Sequence, residues 1–110
     1  MSTRGRPKKY RIVRQDAKIS QFSPRGKPGR PDEVGLTMDQ FEAIRLSDYM
    51  GIPQREAAQS MRISQQTFSR ILRKARKGLA GALVRGATIK IQGGHYVISS
   101  HEDNKAKDNS

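Results

Sequence analysis

The sequence predicts a mainly α-helical fold: a three-helix, helix-turn-helix domain with a C-terminal β-hairpin and an extended basic N-terminal arm. Residues 37–85 contain three segments with the apolar spacing of helices. Two short apolar runs flank the Gly-Gly pair at positions 93 and 94, a pattern typical of a hairpin. Residues 1–31 hold four of the five prolines and few apolar residues, which favours an extended chain.

These observations divide the chain of 110 residues into four parts. We expect a basic arm at 1–31 that is partly extended or disordered, a helix-turn-helix domain at 32–86, a β-hairpin at 87–98 and a disordered tail at 99–110. Within the arm, residues 10–13 are predicted to form a short strand that adds to the edge of the hairpin.

The composition narrows the class of protein. The chain has 22 Lys and Arg against 10 Asp and Glu, and its net charge of +12 predicts a polyanionic partner such as nucleic acid. No apolar run is long enough for a transmembrane helix, and no secretory signal is recognisable. The absence of cysteine excludes a disulfide framework and a zinc finger. We therefore expect a cytoplasmic, nucleoid-associated protein that uses no metal or cofactor.

The positive charge falls in two separate blocks. Residues 1–31 carry a net charge of +9, residues 32–52 a net charge of −4, and residues 53–86 a net charge of +7. Two distinct contacts with a phosphate backbone would explain this pattern. The alternative is a disordered basic tail together with a solvated helix face.

The arm contains one short basic motif, Arg4-Gly5-Arg6-Pro7-Lys8-Lys9, which resembles the AT-hook of minor-groove DNA-binding proteins. Glycine allows the backbone to approach the groove floor, and proline keeps the chain extended. The two arginines suit the negative potential of a narrow minor groove. The alternative is that this segment is a generic basic tail.

The first two helices are recognised by their ends. The first is predicted to begin at a capping box, residues 37–40, and to run to about Tyr49, with Gly51 as its stop. The second is predicted over residues 53–61, with Pro53 in its first turn.

The third helix begins after Ser64, a favourable N-cap, and has two different sides. The side predicted to be buried carries Phe68, Ile71, Leu72, Ala75, Leu79, Ala82 and Leu83. The opposite side carries Gln66, Ser69, Arg70, Arg73 and Lys77, flanked by Gln65, Lys74 and Arg76. Because amides and hydroxyls hydrogen-bond base edges and cations hold phosphates, this side is predicted to contact DNA.

The order of residues around the second and third helices is that of a helix-turn-helix. Small Ala58 permits a close crossing of the two helices, Arg62-Ile63 forms the corner, and apolar residues of the third helix return to the core. Many such corners contain glycine, and a positive φ is awkward for Arg62 because it has a Cβ. The predicted DNA-binding residues are Ser64, Gln65, Gln66, Thr67, Ser69, Arg70, Arg73, Lys74 and Lys77, with Arg4, Arg6, Lys8 and Lys9 of the arm.

The sequence also resembles a known family, the prokaryotic domain of unknown function 134. The resemblance is carried by Leu36-Thr37, Glu42–Leu46, Asp48, Gly51, Glu56–Ala58 and Ser64–Leu72, with Arg6–Lys8, Pro24–Gly26 and Ile91–Gly94 outside the helices. It covers roughly residues 6–96. It implies a DNA-binding protein whose helix-turn-helix is similar to region 4 of sigma factors.

The predicted hairpin has one apolar side. With a Gly-Gly turn, Ile91 should face Tyr96 and Ile89 should face Ile98. This side must be covered, either by the third helix or by another subunit, and it is our candidate surface for a homodimer.

Catalysis finds no support in the residue inventory, and we expect no enzyme. His95 and His101 have no nucleophile or carboxylate at a recognisable spacing. Glu42 and Asp48, close to Arg45, are interpreted as surface ion pairs on the first helix.

Three interpretations of function follow from these patterns. The first is a sequence-specific double-stranded DNA-binding protein, a transcriptional regulator that places its third helix in the major groove and grips DNA with its arm. The second is a sigma-like module that contacts RNA polymerase. The third is an RNA-binding protein, because basic arms also serve RNA.

Overall fold

The structure, a computed structural model, describes residues 10–26, 29 and 31–99. The three predicted helices are present, together with short strands on either side of them. The elements are β1 (Arg11–Val13), β2 (Gln21–Phe22), β3 (Glu33–Leu36), α1 (Met38–Ile44), a π-helical turn (Arg45–Tyr49), α2 (Gln54–Met61), α3 (Gln65–Arg85), β4 (Thr88–Ile91) and β5 (Tyr96–Ile98). In this part of the chain, no helix combines the length and the apolar character that crossing a membrane requires.

Helix α1 starts at the predicted capping box. The Gln40 side chain reaches back, and its Oε1 accepts the backbone N–H of Thr37 at 3.0 Å. The Thr37 hydroxyl donates to the carboxylate of Asp39, which also accepts the N–H of Gln40 at 3.1 Å. The first turn of α1 therefore has its free N–H groups and its acidic side chain in mutual contact.

The helical path continues to Tyr49, as predicted, but its last part is a π-helical turn. The N–H of Met50 donates to the carbonyl oxygen of Arg45 at 2.9 Å, a spacing of five residues. Gly51 follows with φ of +72°, a backbone conformation that glycine adopts without a Cβ clash. The wide turn and the glycine together redirect the chain into α2.

The connection between α2 and α3 is short and tightly hydrogen-bonded. Arg62 adopts the left-handed conformation that the sequence made doubtful, with φ of 60° and ψ of 43°. The N–H of Ile63 donates to Ala58 O at 3.1 Å, so the end of α2 is closed. Ser64 then caps α3 as predicted, because its Oγ accepts the N–H of Thr67 at 3.0 Å.

Helix α3 is the element that joins the two halves of the core. Its first half packs against α1, the π-helical turn and α2 in a cluster of Ala43, Leu46, Ala57, Ala58, Met61, Phe68, Ile71 and Leu72. Further along, it packs against the strands in a second cluster of Val13, Leu36, Met38, Ala75 and Ile91. A helix shared by both clusters holds its opposite, polar side in a fixed position relative to the whole domain.

The predicted buried side of α3 is confirmed except at its end. Leu79 packs against the second cluster and Ala82 is buried, but Leu83 is 81% exposed. Leu83 lies about 100° round the helix from Ala82, and this step carries it beyond the edge of the core.

The predicted hairpin at 87–98 is wrong. Strand β4 pairs parallel with β3 and antiparallel with β2, whereas β5 pairs parallel with β1 in a separate sheet. Because β2 and β3 occupy both edges of β4, no edge is left for β5. The segment between β4 and β5 is instead tied to the start of α1, where Met38 N–H donates to Gly93 O at 3.0 Å.

Because β4 and β5 belong to separate sheets, the apolar hairpin face predicted as a dimer surface does not form. Ile91 is buried, and Ile89 and Tyr96 pack against the second core cluster of the same chain. Ile98 remains 42% exposed on β5. The apolar side chains predicted to share one face of the hairpin are therefore divided between the two sheets, and most of them lie in the protein's own core.

The segment 10–26, which the sequence places in the arm, contains β1 and β2. The short strand predicted at residues 10–13 occurs as β1 and pairs with β5, and its Val13 side chain is fully buried. Strand β2 is the antiparallel partner of β4. The Arg4–Lys9 motif and residues 100–110 lie outside the described residues.

Candidate nucleic-acid interface

The predicted contact residues of α3 lie on one accessible side of the helix. Seven of them are exposed, namely Ser64, Gln65, Gln66, Arg70, Arg73, Lys74 and Lys77, and two are half-buried, namely Thr67 and Ser69. The structure therefore brings together all nine predicted residues of this helix. The four predicted arm residues, Arg4, Arg6, Lys8 and Lys9, fall outside the described part of the chain.

The two hydroxyls at the start of α3 are already engaged with each other. Ser64 Oγ accepts the N–H of Thr67, and its hydroxyl donates to Thr67 Oγ1 at 2.9 Å. These side chains hold the first turn of the helix and have limited freedom to contact a ligand. The neutral hydrogen-bonding groups left exposed near the start are those of Gln65 and Gln66.

The cations of α3 fall into two groups. Among the described residues, Arg70, Arg73, Lys74 and Lys77 have no carboxylate within ion-pair distance. Arg85, at the end of the helix, pairs with Asp32. Arg76, on the flank of the helix, donates twice to Asp48 of the π-helical turn, at 2.7 and 3.1 Å. The unpaired cations are therefore available to an external anion, whereas Arg76 is neutralised within the protein.

The Arg76–Asp48 contact also changes how both groups titrate. The hydrogen bond from Arg76 lowers the pKa of Asp48 below its ordinary value. The same hydrogen bond raises the pKa of Arg76. Both side chains stay charged and paired at neutral pH, and this pairing leaves the net charge of that flank near zero.

A groove of about 560 Å³ runs beside the unpaired cations. One wall is α3, and the other is built from β1, the start of α1 and the segment between β4 and β5. The charged residues that line it are Arg11, Asp39, Arg70, Arg73, Lys74 and Lys77. Five cationic side chains thus surround one carboxylate, which gives the groove a positive potential.

Arg11 is the lining residue that sequence reasoning missed. It is one of ten basic residues in the first 31, and nothing in its local sequence separates it from the others. Its place in the groove follows from the parallel pairing of β1 with β5, where Arg11 lies opposite Tyr96. A pairing between strands so distant in sequence leaves no local signal.

The interpretation of Glu42 and Asp48 as surface ion pairs with Arg45 is correct only for the pairing of Glu42 with Arg45, which is buried rather than at the surface. Glu42 is fully buried, and it accepts hydrogen bonds from Arg45 at 2.8 and 3.0 Å and from the Arg14 N–H at 2.9 Å. The hydrogen bond to Glu42 raises the pKa of Arg45. Asp48 pairs with Arg76 instead. Glu42 joins β1 to α1, so its role is to hold the fold together.

No metal centre is indicated in the described part of the chain. Within residues 10–26, 29 and 31–99, no three His, Cys, Asp or Glu side chains are grouped closely enough to hold a metal ion.

Together, the fold and the groove define a small basic protein in which one helix presents unpaired cations beside a cationic groove. The chain belongs to the family described as Protein of unknown function DUF134, whose model matches residues 1–99. This finding confirms the resemblance seen in the sequence.

The chain is similar to several curated relatives and covers different shares of their length. A UPF0251 protein of Desulfosudis oleivorans is 50% identical over 93 residues, which are 84% of this chain and 67% of the relative. One of Thermoanaerobacter sp. is 44% identical over 98 residues, or 88% of this chain and 87% of the relative. One of Chlorobaculum tepidum is 45% identical over 98 residues, or 88% of this chain and 50% of the relative. No solved structure matches the chain.

Proposed function

We propose that this protein is a sequence-specific double-stranded DNA-binding protein that acts as a transcriptional regulator. In this proposal α2, the connection at Arg62–Ser64 and α3 form a helix-turn-helix, and α3 enters the major groove. One observation carries the proposal: α3 exposes amides near its start and unpaired cations further along, on the side opposite the core and on the flanks of that side.

The two kinds of side chain on α3 have different roles in this proposal. Gln65 and Gln66 lie in the first turn, where a recognition helix approaches base edges, and an amide can make paired hydrogen bonds to adenine. Arg73 and Lys77 lie two to three turns further along and hold phosphates, which fixes the position of the helix on the duplex.

The arm supplies the second contact that the charge pattern predicts. The Arg4–Lys9 motif precedes β1, and β1 lines the groove beside α3. A basic segment that starts from this position can follow the DNA away from the major groove. We propose that it grips the neighbouring backbone or enters the minor groove.

A competition experiment tests the proposal against RNA or single-stranded binding. Duplex DNA, single-stranded DNA and duplex RNA of equal length compete for the full-length chain at several salt concentrations. We expect duplex DNA to compete best, with a log–log salt slope of several units at about 0.9 per neutralised phosphate. Preference for duplex RNA would favour the RNA-binding alternative, and a nearly flat salt response would exclude nucleic acid as the partner.

We propose contact with RNA polymerase as a second candidate function, and an apolar cleft supports the binding of a protein partner. This cleft of about 400 Å³ includes Ile19, Phe22, Phe41, Ile44 and Tyr49 among its lining residues. Ile19, Phe22 and Tyr49 are 56%, 52% and 84% exposed. Exposed apolar groups gathered in one concave surface are typical of a protein-binding site.

Binding of purified RNA polymerase tests this second candidate. Tyr49→Ser should weaken the complex, because Tyr49 lines the cleft. Tyr10→Ser is the matched control, because Tyr10 is 54% exposed and does not line the cleft. No binding by the wild type, or equal effects of the two changes, would contradict the candidate.

A further inference from the structure

We propose that Arg11 of β1 binds a backbone phosphate of the DNA from the wall of the groove that faces α3. The inference rests on the proposed function, and it adds a second, folded element to the DNA contact. Nothing in the helix-turn-helix itself requires such a contact. It follows from where the parallel β1–β5 pairing places one guanidinium group.

The position of Arg11 is central to the concave surface beside α3. It lines the groove that holds Arg70, Arg73, Lys74 and Lys77. It also lines an adjoining depression beside Ser64 and Thr67, at the start of the same helix. An anion lying along either concavity would therefore meet this one guanidinium.

The donors of Arg11 are largely unused. Among the described residues, its side chain makes one ion pair, from Nε to Asp39 Oδ2 at 3.5 Å, which is too long for a strong hydrogen bond. The Nε atom is buried and makes no hydrogen bond. A guanidinium has five donors, and the side chain is 30% exposed, so it has donors available for an incoming phosphate.

The wall that carries Arg11 is held firmly in place. Its own N–H donates to His95 O at 3.2 Å, and Met38 N–H donates to Gly93 O at 3.0 Å. Gly94, with φ of +94°, lies so close to Thr37 and Asp39 that a Cβ would come within 3.2 and 3.1 Å of their atoms. The backbone that carries Arg11 therefore needs little rearrangement when the guanidinium binds.

The charge of the groove selects a polyanion. Its one carboxylate, Asp39, is 9% exposed and already accepts hydrogen bonds from the Thr37 hydroxyl and the Gln40 N–H. Cationic side chains line both walls of the groove, an arrangement that suits a continuous phosphodiester chain. We therefore assign the site to the backbone of the same duplex that α3 contacts.

The experiment measures duplex binding by full-length variants as a function of salt. Arg11→Gln should weaken binding about eight-fold at about 0.1 M salt and lower the slope by about 0.9, the effect of one phosphate. Arg11→Lys should keep the slope, because it keeps the charge. Lys18→Gln removes the same charge from the apolar cleft and should leave affinity within about two-fold.

Two further variants show whether Arg11 contacts the DNA or only supports the fold. They also show whether the inference fails alone or together with the proposed function. Asp39→Asn releases Arg11 from its ion pair, so it should raise affinity, and this expectation stands even if Arg11→Gln fails to fold. Arg73→Ala reports on α3 alone. A loss with Arg73→Ala but none with Arg11→Gln overturns the inference and leaves the proposed function intact, whereas no loss with either overturns both.

Three other outcomes would also overturn the inference. Equal losses with Arg11→Gln and Lys18→Gln would mean that only net charge matters. A loss with Asp39→Asn as large as that with Arg11→Gln would mean that the pair is structural. Arg11-dependent binding of inorganic phosphate, with DNA affinity unchanged, would assign the site to a small free anion.

Discussion

Two arginines three residues apart on α3 allow the role of the unpaired cations to be isolated. Arg73→Ala and Arg76→Ala each remove one positive charge from the same helix, so the net charge of the two variants is identical. Arg73 is exposed and lines the groove. Arg76 is turned about 60° away, since three residues advance about 300° around a helix, and it is held by Asp48 at 2.7 and 3.1 Å.

The expected difference follows from counterion release. One phosphate contact contributes about 0.9 to the log–log salt slope, so Arg73→Ala should weaken duplex binding about eight-fold at about 0.1 M salt and about three-fold at about 0.3 M. Arg76→Ala removes a cation that is already neutralised by Asp48, and its effect should stay within about two-fold at either salt concentration.

Fluorescence anisotropy of a labelled duplex at these two salt concentrations measures both effects. Thermal unfolding of the variants serves as the control for folding, and the Arg76–Asp48 pair is exposed enough that its loss should cost less than about 1 kcal/mol. Equal losses of affinity in the two variants would contradict a special role for the unpaired cations. In that case the affinity for DNA would depend on the protein's total charge, and the pairing of Arg76 with Asp48 would have no influence on binding.

Three further predictions concern the corner, the ion pair and the arm. Arg62→Gly should be more stable than Arg62→Ala by about 1 kcal/mol in urea unfolding, because φ is 60° and both variants lose the same side-chain contacts; equal stability would contradict this. The pair between Asp48 and Arg76 stabilises the folded protein. This contribution is present above the ordinary pKa of Asp48 and is lost as the pH falls through the lowered pKa. The small Tm difference between wild type and Arg76→Ala should therefore shrink as the pH falls below the ordinary pKa of Asp48, and a difference that stays constant in acid would count against it. Deleting residues 1–9 should leave Tm unchanged and weaken DNA binding, more strongly at sites flanked by A·T tracts if the arm enters the minor groove; no loss would exclude the arm from binding.

The helices could be predicted from the sequence because their signals are local. The capping box at Thr37, the N-cap Ser64 and the alternation of apolar and polar sides on α3 each act within a few residues. The nine helix residues predicted for the site share an accessible surface for the same reason. The sequence predicts Leu83 on the buried side because the helical spacing of apolar residues continues beyond the point where the core ends.

The strands could not be predicted in the same way. A Gly-Gly pair between two apolar runs favours a hairpin locally, but β4 obtains both of its partners from residues 21–36, far earlier in the chain. The position of a strand residue depends on the strand with which it pairs. For this reason the sequence does not place Arg11 in the groove, and Ile91 and Tyr96 do not face each other. The burial of Glu42 has the same origin, because its partner Arg14 follows β1.

The most direct test of base reading by α3 is selection of bound duplexes from a random library by wild type, Gln66→Ala and Arg73→Ala. We expect a defined preferred sequence for the wild type. Gln66→Ala should relax one base position by about 1–3 kcal/mol, and Arg73→Ala should weaken all sequences alike. The claim that α3 reads bases in the major groove would be contradicted by the absence of any preferred sequence, or by a preference that changes with Arg73→Ala and not with Gln66→Ala.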